Sequence, residues 1–301
     1  MSPPGTRPAF GAGPQDTLRG IMLMCSALLC FSMLDATGKW LSPQIGALEV
    51  TWVRYTLSVV FVSLVLNPWT VPGLLRTKKP LLQMIRSLLL FGSTLLNFMA
   101  LRYLPLMEVL SMLFLTPLFV ALVSGPLLGE WVGPRRALAI LVGFSGVLVV
   151  TRPGFAAFHP AILYSLLGAF TNALYAIMTR VMASHDPPAT TMFYSGVAGT
   201  VLLTPFLPLF WVPPPTWLSV VAMVATGFFG ALGHWLMILA HRQAPASTLS
   251  PFIYTQIVYV TVLGYVVFGD LPDRWTLLGS FIVVSSGLYL LHRERVQGLR
   301  R

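Results

Sequence analysis

Charge is what this sequence has least of. Only 9% of its residues are Asp, Glu, Lys or Arg, against about 25% in a soluble domain. Hydrophobic residues make up 56%, and mean hydropathy is +0.79. Such a chain cannot cover a water-facing surface with polar groups, so soluble classes are excluded and its main solvent is lipid. Cysteine is also scarce. Cys25 and Cys30 both fall in the first apolar stretch and point about 140° apart around a helix, so they do not pair there. Neither a disulfide framework nor a metal site follows. The sequence also lacks Gly-x-x-x-x-Gly-Lys-Ser/Thr, which leaves no built-in ATPase. His159, His185, His234, His241 and His292 form no His-x-x-x-His pair, and no Ser, His and Asp converge by spacing. An enzyme is therefore not expected, and neither is a cofactor.

What is present is a series of long apolar runs. Segments near 18–38, 47–67, 81–101, 105–128, 136–151, 160–182, 190–211, 216–240, 245–268 and 275–291 approach the ~20 apolar residues a spanning helix needs, the fifth being short. Pro and Gly clusters mark many of the breaks, including Pro68 to Gly73, Pro187-Pro188 and Pro213 to Pro215. Residues 1–17 read as a flexible tail and 292–301 as a basic tail. The first apolar stretch lacks a clean cleavage site after it and is read as a retained helix.

The net charge of +10 does not indicate nucleic acid, because the basic residues punctuate apolar stretches instead of forming a soluble basic patch. Their distribution carries topology. With the first residue inside, 14 of the 19 Lys and Arg fall on the cytoplasmic side and 4 on the other, with Arg54 inside a helix. Excess Lys and Arg marks the cytoplasm. Both termini are therefore expected there, which requires an even number of spans. The expected fold is all-α and integral to a bacterial inner membrane, with ten transmembrane helices.

The two halves align at an offset of 140. Leu34 falls on Leu174, Thr51 on Thr191, Arg102 on Arg242, Pro105 on Pro245, and Gly129-Glu130 on Gly269-Asp270. One ungapped offset runs from the first helix to the fourth loop. The predicted domains are residues 18–151 and 158–291. Five helices per half is an odd number, so the second half would be inverted, an architecture that recurs in secondary transporters with the substrate near the midplane.

The stretches Ala100-Leu-Arg-Tyr-Leu-Pro105, Leu115-Thr-Pro-Leu-Phe-Val-Ala-Leu122 and Leu128-Gly-Glu130 resemble the EamA family of the drug/metabolite transporter superfamily. So do Ala240-His-Arg-Gln-Ala-Pro245, Gly269-Asp270 and the Arg54-Tyr55 pair. The resemblance covers roughly residues 18–292. It implies a carrier of two inverted five-helix repeats. Family members move amino acids, nucleotide-like compounds, vitamins and opine-type metallophores; many export and some import.

Ionisable residues inside spanning segments are costly and are candidates for function. Asp35, Arg54 and Glu108 stand out. Arg54 sits about 10 Å below the outer start of its helix and Glu108 about 5 Å below that of its own. The functional reading is a gate or a substrate charge clamp. The alternatives are an Asp35–Lys39 pair one turn apart, a helix-start carboxylate for Glu108 and snorkelling for Arg54. Their offset partners Tyr175, Tyr194 and Thr248 carry no charge. A polar or zwitterionic substrate could meet charge from one half and hydroxyls or rings from the other, which makes Tyr175 and Tyr194 candidates. Asn172 and Gln256 join them near mid-helix, with interhelical hydrogen bonding as the alternative. His234 reads as a packing residue.

The expected function is a secondary carrier exporting a small polar amino-acid-derived metabolite, an amino acid or an opine-type metallophore, to the periplasm. Import of a vitamin or nucleoside-like compound is the alternative. A membrane-embedded enzyme is the rival class, and the inverted halves argue against a channel. The partners are a small-molecule substrate and the bilayer, with a homodimer allowed. Topology can be checked with reporter fusions after Arg301 and in the Pro213–Pro215 loop. They should report opposite sides of the membrane, and matching signals would exclude the even-span reading.

Overall fold

The structure is a computed structural model, and it describes residues 14–65, 73–128, 133–152, 159–182, 185–244 and 249–298. Among these the regular structure is entirely helical. The first half holds α1 (Pro14–Ile45), α2 (Ala47–Val65), α3 (Pro80–Leu101), α4 (Leu106–Leu113), α5 (Thr116–Leu128) and α6 (Pro134–Thr151). The second holds α7 (Ile162–Met182), α8 (Pro188–Leu203), α9 (Leu207–Phe210), α10 (Trp217–Gln243), α11 (Gln256–Phe268) and α12 (Arg274–Gly298). A 3-10 turn, Thr204–Phe206, joins α8 to α9, and another, Ser250–Thr255, leads into α11. Among the described residues seven helical stretches are long and apolar enough to cross a membrane, and Ala137–Val150 and Phe252–Phe268 are shorter apolar helices.

Local chemistry explains many of the boundaries. Proline opens α3, α6 and α8, where its missing N–H would have no helical partner anyway. Thr216 caps α10 by accepting from the Ser219 N–H at 3.1 Å, and Asp273 accepts the Thr276 N–H at 2.8 Å at the start of α12. The first helix runs past the expected 38 to Ile45, with Pro43 in its last turn. Only Gly46 then separates it from α2, and its φ of +85° is a conformation that side chains disfavour.

The expected single helix over 105–128 is broken at Phe114–Leu115. Pro117 has no N–H to give to the carbonyl four residues back. The Asn172 amide meets Thr116 Oγ1 at 3.4 Å beside the break. The expected helix over 245–268 likewise changes from 3-10 to α between Thr255 and Gln256. Subtracting 140 from Thr255 gives Leu115, so both halves break their fourth segment at one register.

The same offset governs packing. The α1–α10 contact becomes α7–α3, and both occur; α2–α8 and α6–α12 each map onto themselves. In the α6–α12 pair, Ser286 Oγ donates to Ala139 O at 2.5 Å, and the exchanged positions, Gly146 and Gly279, also lie face to face. Phe114 touches Tyr254, its own counterpart, edge to face with ring centroids 5.0 Å apart. Close approach of backbones at small residues is how helices gain packing energy where lipid gives no hydrophobic drive.

A Cβ added at Gly279 would sit 2.5 Å from the Gly146 carbonyl oxygen and 2.9 Å from the Val150 nitrogen. Both obstacles are backbone, so helix α12 must shift. Gly279→Ala should destabilise the protein by roughly 1–3 kcal/mol. Gly133→Ala, where nothing lies within 4 Å, should be close to neutral. Thermal unfolding in detergent compares the two, and equal midpoints would contradict the packing described.

Candidate functional site

A cavity of about 250 Å³ lies between the halves, walled by α2, α3, α7, α8 and α10 and by Asp186. Its charged and titratable lining consists of Arg54, Arg86, Asp186 and His234, with Tyr55 and Tyr175 beside them. Tyr55 and Ser195, and Leu90 and Gly230, are counterparts at the offset of 140, and all four line it. The frame is shared, but both arginines come from the first half.

Arg54 is 7% exposed. Its Nη1 donates to Thr94 Oγ1 at 2.5 Å, and its guanidinium lies 5.0 Å from the Tyr55 ring centre. Tyr55 shares Thr94, its hydroxyl 2.9 Å from the same oxygen. Arg86 is fully buried. Its Nε donates to Gln83 Oε1 at 2.8 Å, and its Nη2 donates to Thr191 O at 2.6 Å and Ser195 Oγ at 2.7 Å. Its guanidinium lies 5.3 Å from the Tyr175 ring centre. Asp186 closes one end of the wall. It accepts from Thr77 Oγ1, from the Lys78 N–H at 2.9 Å and from Gln83 Nε2 at 3.2 Å. His234 packs its ring on Phe31, 5.0 Å between centroids, and also lines the cavity.

The opposite end of the bundle, around Gly46, carries two ion pairs, and each joins one half to the other. Lys39 Nζ meets Asp270 Oδ2 at 2.8 Å and also donates to Leu104 O at 3.0 Å. Arg152 Nη2 meets Asp273 Oδ2 at 2.7 Å. Burial pushes the Asp273 carboxyl up, but its Thr276 hydrogen bonds and Arg152 outweigh this and hold it below the ordinary 3.8. A carboxylate with a depressed pKa stabilises the fold above that value and loses the contribution as pH falls below it. The second pair is therefore a neutral-pH contact. A separate cavity of about 420 Å³ lies at this end, lined by Gln44, Glu49, Arg102, Tyr103, Tyr164 and Phe210 among others. Glu49 is fully buried, and its Oε2 accepts the Val212 N–H at 2.8 Å.

Of the residues expected from sequence, Arg54 and Tyr175 line the central cavity and Asp35, Glu108, Tyr194, Asn172 and Gln256 are not in its wall. Asp35 accepts from Asn97 Nδ2 at 3.0 Å, and Lys39, the alternative partner one turn on, reaches Asp270 instead. The Tyr194 hydroxyl donates to Leu75 O at 3.0 Å. Asn172 supports the α4–α5 break, and Gln256 is buried where α11 begins. Glu108 has for charged neighbours Asp273, Arg152, Lys39 and Asp270, so it belongs to the ion-paired end and not beside Arg54. Sequence reasoning counted Arg86 among the cytoplasmic charges. The signal that could have found it is its place one and a half turns inside an apolar helix, the same criterion that selected Arg54.

A multi-pass helical membrane protein whose repeated halves enclose a largely apolar cavity holding a few charged side chains has the architecture of a secondary transporter. The chain belongs to the EamA-like transporter family, which it matches over residues 18–152 and 159–291. It is 26% identical to an S-adenosylmethionine uptake transporter of Rickettsia prowazekii over 92% of this chain and 94% of that one. It is 29% identical to a riboflavin transporter of Vibrio cholerae, covering 94% and 96%. A pseudopaline exporter of Pseudomonas aeruginosa is 23% identical, covering 92% and 97%. The chain is thus a membrane transporter of the drug/metabolite transporter superfamily.

Arg54 is held by one hydroxyl and a ring face. Arg54→Gln and Arg54→Lys should each reduce transport by about tenfold or more, since Lys lacks the planar fork. Thermal stability should change little by comparison. Normal flux in both variants would remove Arg54 from the site.

Proposed function

We propose that the chain is a secondary carrier that moves a small polar amino-acid-derived metabolite across a bacterial inner membrane by alternating access. Ten spans in two inverted five-helix halves, both termini cytoplasmic, make up the carrier. The observation that carries the reading is the asymmetry of the two ends. The central cavity extends to Asp186, Thr191 and Met192 at one end, and at the other Lys39–Asp270 and Arg152–Asp273 tie the halves together. By the distribution of Lys and Arg, the ion-paired end is periplasmic. The arrangement is then an inward-facing one, and breaking both pairs is part of the outward turn.

The buried arginines, the tyrosine faces and the apolar wall suit a compound with a charged head and a less polar body. S-adenosylmethionine, the compound named for the Rickettsia relative, joins an amino acid to a nucleoside and is the first substrate to test, moving inward. Export, the direction expected from the sequence, is the second reading and is favoured by the likeness to the pseudopaline exporter. In proteoliposomes the purified chain should give saturable flux of labelled S-adenosylmethionine or an amino acid, stimulated by unlabelled compound on the opposite side and without chemical change. Unsaturable flux would indicate a channel, and altered solute an enzyme. No flux for any of a panel of amino acids, S-adenosylmethionine and riboflavin would overturn the substrate reading.

A further inference from the structure

We propose that the central cavity binds a carboxylate, with Arg86 as its anchor and Arg54 as its second cation. As the recognition of a transported substrate this rests on the carrier reading above; as an anion site it stands by itself.

The argument starts from an unmatched donor. Three of the five N–H groups of the Arg86 guanidinium donate to Gln83, Thr191 and Ser195, but its Nη1 is buried and has no hydrogen-bond partner. A guanidinium cannot shed its charge, and burying one without a counterion is strongly unfavourable. Among the described residues the ion pairs within 4.0 Å are Lys39–Asp270 and Arg152–Asp273, and neither involves Arg86 or Arg54. Asp186 acts on Arg86 only through space, and its oxygens are taken up by Thr77, Lys78 and Gln83. A second orphan lies in the same wall: Thr179 Oγ1 is buried without a partner. Unsatisfied buried donors in a cavity wall are the complement of an acceptor-bearing ligand.

The charge count selects the ligand. Besides the histidine, two arginines and one carboxylate line the cavity, so a monoanion neutralises it and a dianionic phosphate would leave an excess negative charge next to Asp186. A carboxylate oxygen also suits the one free nitrogen of Arg86, Nη1, with which it makes a charge-assisted hydrogen bond. The remaining wall includes Val59, Leu90 and Met237, which favours an apolar body on the ligand. The site therefore fits a compound with a single carboxylate and an apolar or ring-bearing remainder.

The test uses the whole purified chain in detergent and measures its unfolding temperature at fixed pH and ionic strength. The probes are acetate, L-methionine and L-methioninol, in which a hydroxymethyl group replaces the carboxylate. Acetate and methionine should stabilise the wild type and methioninol should not. Arg86→Gln should weaken the apparent acetate affinity by about tenfold or more, whereas Arg274→Gln, at an exposed arginine outside the cavity, should leave it unchanged. If Arg86→Gln does not fold, Thr179→Val serves, since its hydroxyl holds nothing in the structure and its loss should weaken acetate severalfold. Equal stabilisation of wild type and variant, equal action of methioninol and methionine, or no response of the wild type to acetate each overturns the proposal. Carboxylate binding without flux in liposomes would leave the anion site standing and count against the carrier reading alone.

Discussion

In a bilayer every backbone polar group must find its partner within the protein, because the hydrocarbon offers none. That constraint makes the regular structure of the described residues helical, and it also dictates where the helices can break. The interruptions at Phe114–Leu115 and Thr255–Gln256 expose carbonyls, so they sit inside the bundle. There Asn172, Thr116 and a ring contact surround the first, and the same contact covers the second. The breaks, the cavity and the buried arginines share one solution: irregular or charged groups gathered where the halves meet, and apolar surface turned outward.

Much of the frame was legible in the sequence because it depends on local composition and repetition. Apolar length and Pro/Gly punctuation located the helices, and the offset of 140 described packing as well as identity. The site was legible only in part. Arg54 stood out because a cation in mid-helix has no local explanation. Arg86 did not, since counting positive charges treats an arginine near a helix start as a water-facing one. The one-turn rule offers Lys39 to Asp35 as one alternative, yet its partner is Asp270, 231 positions along the chain. No spacing rule reaches that far. Nor does any rule say which face of a uniformly apolar helix turns inward, so Tyr175 in the wall and Tyr194 outside it were indistinguishable.

The halves are alike in backbone and unlike in charge. Arg54 faces Tyr194 across the offset, Arg86 faces Thr226, and Lys39 faces Thr179. A common frame gives the two halves equivalent ways of packing. The unequal charges then tie the two ends differently, with ion pairs at the Gly46 end and hydrogen bonds to Asp186 at the other.

The contact of Phe114 with Tyr254 has a geometric meaning. Two positions that exchange under the repeat and also touch must lie beside the line about which the halves exchange. The two rings thus mark the place where the repeated halves meet at equivalent positions.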